Sequence, residues 1–119
     1  MYINEFDALK QRIDDFSKIL SIKNKQAFLN LKENFDIFFK MAQIKGLSDL
    51  RNYKAGYAEL LFQLIMKFNL EEYRAKATES LMETIEDGKL NNLDVSSYIR
   101  MLTELQNASP PSDDSLTHP

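Results

Sequence analysis

Apolar residues recur along this chain at alternating steps of three and four. Phe6, Leu9, Ile13, Phe16 and Leu20 follow that rhythm, with Ile3 and Ile19 on the same side and Lys10, Asp14 and Lys18 opposite. Such spacing places one stripe along a helix, and it predicts a first helix over about 3–21. Phe28, Leu31, Phe35, Phe38 and Ala42 predict a second over about 25–45. Leu50, Tyr53, Tyr57, Leu60, Leu64 and Phe68 predict a third over about 49–68, which Leu61 and Ile65 broaden enough to make it the central helix. Leu70, Tyr73, Ala77, Leu81 and Ile85 predict a fourth that ends at Asp87-Gly88-Lys89. Val95, Tyr98, Ile99, Leu102 and Leu105 predict a fifth over about 93–106.

Capping signals set the expected boundaries. Ser21 or Asn24 precedes the second helix, Ser48 the third and Asn91 or Asn92 the fifth; each offers a side-chain oxygen to free N–H groups of a first turn. Asn69 and Glu72 have capping-box spacing before the fourth helix. Gly46 follows Lys45, where a residue free to take positive φ closes a helix. Gly56, inside the third stripe, is a point where a neighbouring helix can approach closely.

The chain has three glycines and three prolines in 119 residues, too few breakers for a strand-rich fold with many turns. The expected fold class is all-α: a compact bundle of about five amphipathic helices. Residues 1–107 form the helical domain. Residues 108–119 read as a disordered tail, rich in Ser, Pro and Asp and without an apolar period. The absence of cysteine excludes disulfides and thiolate sites, and it fits the cytoplasm. The first residues carry no basic segment or apolar run of the signal-peptide kind. Leu60 to Met66, the most apolar stretch, is interrupted by Gln63 and falls short of the about 20 residues that cross a membrane.

Little in the sequence can do chemistry. His118, the sole histidine, lies in the expected tail, where nothing holds it against a substrate. The neighbouring carboxylates Asp14-Asp15, Glu71-Glu72, Glu86-Asp87 and Asp113-Asp114 diverge by roughly 100° wherever they are helical. No Glu-x-x-His pair, glycine-rich phosphate loop or calcium loop is present. The expectation is therefore a protein that is not an enzyme and uses no metal or cofactor. A helix-turn-helix across Gly88 would offer the fifth helix to nucleic acid, yet that helix carries Asp94 and Glu104 against one cation, Arg100.

Charge is unevenly spread. Residues 16–54 hold eight Lys or Arg against three Asp or Glu, a net +5, whereas 55–107 hold five against nine, a net −4. Side-by-side packing of the two halves would neutralise part of this. On the fourth helix Glu72, Glu79, Glu83 and Glu86 are spaced to share one side, opposite the apolar stripe, with Lys76 as a nearby counter-charge. That side is either an ordinary solvated face or a docking stripe for a basic partner. The second helix carries Phe28, Phe35, Phe38 and Phe39 together with Ile37, Met41 and Ile44, more than one face can bury. It is either sandwiched between layers or offers an aromatic surface to a homodimer.

These features point to a small non-catalytic protein-binding module, cytoplasmic, acting by surface recognition as a stoichiometric inhibitor, an immunity-type protein or an adaptor. The partner-binding residues expected are Glu72, Glu79, Glu83 and Glu86. The alternative is a nucleic-acid-binding regulator using the Lys-rich segment 18–54.

Overall fold

The computed structural model describes residues 5–14 and 24–107. The described residues form five α-helices and one short 3-10 turn, with no strand: α1 (Glu5–Asp14), α2 (Lys25–Ile44), α3 (Arg51–Phe68), the turn Glu71–Tyr73, α4 (Arg74–Leu90) and α5 (Ser96–Asn107). None of these helices is long and apolar enough to cross a membrane. Part of the first expected helix, the capping candidate Ser21 and the expected tail with His118 lie outside the described residues.

The stripes become the core. Leu9 and Ile13 of α1, the whole α2 series from Phe28 to Ala42, and Tyr57, Leu60, Leu61, Leu64 and Ile65 of α3 are buried. Ala77, Leu81 and Ile85 of α4, Val95 just ahead of α5 and Leu105 of α5 are buried as well. α3 is central and touches α2, α4 and α5, while α1 lies against α2. α2 and α3 run antiparallel, because their rings pair in opposite order: Phe28 with Phe68, Phe35 with Tyr57 and Phe38 with Tyr53, at centroid distances of 5.1, 5.6 and 4.5 Å. Phe6 of α1 stacks on Phe38 at 5.2 Å. Ile99 departs from its stripe and stays 42% exposed.

Helix ends follow hydrogen-bond supply more closely than residue type. The Asn24 side chain accepts from the Ala27 N–H at 3.1 Å, so that expected cap is real. Gly46, at φ 73°, closes α2: its N–H reaches the Gln43 carbonyl and the Leu47 N–H reaches that of Ala42. This is the paired closure that a left-handed residue permits. Ser48 does not cap α3. Leu50 takes the cap position without any side-chain hydrogen bond, and it is half-buried against the core. Anchoring an apolar residue there outweighs a cap worth about 1 kcal/mol.

Asn69 and Glu72 do not form a capping box. Asn69 adopts φ 57° and its N–H satisfies the Ile65 carbonyl, so it ends α3 rather than beginning α4. Glu72 consequently lies in the 3-10 turn, ahead of α4. Nor does α4 end at Gly88. It continues to Leu90 and closes at Asn92, also at φ 57°, with the Leu93 N–H on the Gly88 carbonyl at 2.8 Å. Asn91 and Asn92 thus finish α4, and the start of α5 is held by Asp94, whose Oδ1 accepts from both the Ser96 N–H and its hydroxyl.

Candidate functional site

The outer face of α4 carries three of the four expected partner-binding residues. Glu79, Glu83 and Glu86 are exposed, opposite buried Ala77, Leu81 and Ile85. Glu72 is exposed too, but its place in the preceding turn separates it from that face. None of the four forms an ion pair or side-chain hydrogen bond with a described residue. Lys76, the expected counter-charge, pairs with neither Glu72 nor Glu79 and lines a different surface. Glu79, Glu83 and Glu86 border a shallow depression completed by Ala75, Thr78 and Met82. Met82 is 55% exposed there, so an apolar patch sits among three carboxylates. The sequence signal for it was an apolar residue one position off the buried stripe.

The aromatic surface expected on α2 is not available. Phe28, Phe35 and Phe38 are 0–1% exposed, and Phe39 is half-buried against Tyr57 at 5.5 Å. These rings pack within their own chain, with α1 and α3 both against α2, and nothing in the structure supports a homodimer through them. What α2 leaves outside is aliphatic: Ile37 and Ile44, 50% and 86% exposed.

A second concavity lies between α2 and α4, floored by α3, with a volume of about 910 Å³. Asp36 on one wall accepts from the Tyr57 hydroxyl at 2.8 Å and from Lys32 Nζ at 2.7 Å. Burial, then this hydrogen bond, pushes the Tyr57 phenol well above its ordinary pKa, so it stays a neutral donor. At the far end Arg51 of α3 clasps Asp87 of α4 at 2.6 Å. Sequence reasoning missed this cleft because its residues are scattered from 36 to 87 without a shared period.

The Lys-rich segment is partly committed internally. Lys32 pairs with Asp36 and lies over the Tyr73 ring, Lys45 lies over Phe6, and Arg51 holds Asp87. Gly88, across which a helix-turn-helix is disfavoured by charge, is buried within α4, and the connection to α5 begins at Asn91. Elsewhere, Arg74 grips Glu71 through two nitrogens and donates to the Leu105 carbonyl, which ties the end of α5 to the start of α4. That contact holds the Glu71 carboxyl below its ordinary pKa. Among the described residues no three His, Cys, Asp or Glu side chains are grouped to hold a metal ion. Comparison of the chain with protein-family models, with curated proteins and with solved structures finds no match.

Proposed function

We propose that this chain is a small, non-catalytic protein-binding module of the cytoplasm that recognises a basic partner through the outer face of α4. The observation that carries the reading is the triad Glu79, Glu83 and Glu86, exposed, unpaired and arranged about exposed Met82. Interfaces combine an apolar centre, in which methionine is enriched, with a polar rim. A single-sign rim speeds encounter with an oppositely charged partner. A stoichiometric inhibitor or immunity-type protein fits this better than an adaptor, because one acidic face suffices for one partner. That classification rests on analogy between small helical proteins.

The test uses wild type and the variant Glu79→Lys/Glu83→Lys/Glu86→Lys as baits in host extract at low and high salt. Wild type should retain a basic protein that is released as salt rises, and the triple variant should fold normally and not retain it. Equal retention of the same partner by both baits at every salt concentration would exclude the α4 face.

A further inference from the structure

The charges lining the cleft between α2, α3 and α4 divide into two kinds. Asp87 is held by Arg51, and Asp36 by Lys32 and the Tyr57 hydroxyl, so these carboxylates are already compensated. Lys40 of α2, Lys54 of α3 and Lys76 of α4 also line the cleft; all three are exposed and unpaired among the described residues. Two lining carboxylates are unpaired as well. Asp49 belongs to the connection between α2 and α3, and Glu83 also borders the Met82 depression. Each of the three helices thus contributes one unpaired ammonium group to the lining, in a chain whose formal net charge is −3.

Unpaired cations that line a concavity attract an anion that enters it. Lysine is a compact point charge with three donors, suited to phosphate oxygens. The hydroxyl-bearing Ser80 and the Gln43 amide line the same walls and add neutral donors. The cleft's 910 Å³ falls in the range of small-molecule sites, roughly 300–1,000 Å³. We propose that this cleft binds a small ligand bearing phosphate groups, held by Lys40, Lys54 and Lys76. Phosphate could also arrive on a nucleic-acid strand. The small ligand is favoured because Lys32, Lys45 and Arg51, which would extend the track along the Lys-rich segment, are engaged within the fold.

The experiment is a titration of the full chain with inorganic tripolyphosphate at constant ionic strength, followed by amide chemical shifts. Saturable shifts are expected in segments 40–54 and 76–84. Lys40→Gln and Lys54→Gln should each weaken binding by about tenfold, the worth of one charge-assisted hydrogen bond. Both residues are exposed, so the variants should keep the wild-type spectrum elsewhere. Lys25→Gln/Lys89→Gln, which removes two exposed charges that do not line the cleft, should leave affinity unchanged. Absence of saturation, or equal weakening by the control variant, would overturn the proposal. So would a short single-stranded oligonucleotide that binds more tightly than tripolyphosphate and also loses affinity in the control variant. That result would assign the lysines to a nucleic-acid track instead.

Discussion

Two glycines inside helices look alike in the sequence and differ in the structure. At Gly88 a Cβ would stand 2.2 Å from Cγ1 of Val95, a side chain that is itself buried. Valine is stiff about χ1 and cannot swing aside without a clash elsewhere. Gly88 is therefore where the connection into α5 packs closely on α4, and its backbone carbonyl also receives the Leu93 N–H. At Gly56 the same Cβ would meet Phe35 Cζ at 3.5 Å, an ordinary contact. The two alanine variants should thus move stability in opposite directions. Gly88→Ala should lose about 1–3 kcal/mol from overpacking, and Val95→Ala in the same chain should restore part of that. Gly56→Ala should gain up to about 1 kcal/mol from helix propensity. Urea unfolding monitored by circular dichroism measures both; a loss at Gly56 equal to that at Gly88 would contradict the packing described.

Among the elements, the contact between α3 and α5 contains a carboxylate that the fold does not compensate. Glu59 is half-buried on α3, and no described residue bonds or pairs with it. Burial raises its pKa, and its charge in turn helps to raise that of Tyr98 on α5, after burial of the phenol itself. A carboxyl whose pKa is higher folded than unfolded binds its proton more tightly in the native state, so its burial penalty is present at neutral pH and relieved as pH falls through the folded pKa. Glu59→Gln should accordingly raise Tm at pH 7, and the difference from wild type should shrink as pH falls through the carboxylate range. A gain that persists undiminished at acid pH would reflect something other than charge.

The same elements show what the sequence could and could not say. Helix interiors were legible because burial on a helix imposes the 3.6 period, and the α2 series from Phe28 to Ala42 is buried without exception. Boundaries were less legible because one residue type serves two roles: asparagine caps a helix start at 24 and closes helix ends at 69 and 92. Which role wins depends on where the next apolar anchor lands, as Leu50 does ahead of α3. Of the candidate site, Glu79, Glu83 and Glu86 were legible as the polar side of a helix. The cleft was not, because the Tyr57–Asp36 bond joins residues 21 positions apart across two helices.

At the scale of the whole molecule, the question is how the uneven charge and the surplus of apolar residues are disposed. α2 and α4 both pack on α3, and Arg51–Asp87 joins the basic segment 16–54 to the acidic segment 55–107 where α3 meets α4. The aromatic surplus of α2 is absorbed by α1 on one side and α3 on the other. The large apolar side chains left exposed among the described residues are spread along the chain: Ile37 and Ile44 on α2, Leu47 just after it, Met66 on α3, Met82 and Leu90 on α4, Leu93 ahead of α5 and Ile99 on α5. An obligate homodimer needs a broad contiguous apolar face, resembling a core cut in half. Single exposed aliphatic residues are normal for a monomer. The chain should therefore elute as a monomer in size exclusion coupled to light scattering at micromolar concentration, with a mass near 13.9 kDa. A mass of twice that value would contradict this. Its loss in Ile37→Lys/Ile44→Lys would then place the dimer on the aliphatic seam of α2, and its persistence there would place it on the α4 face, where Met82→Lys is the corresponding variant.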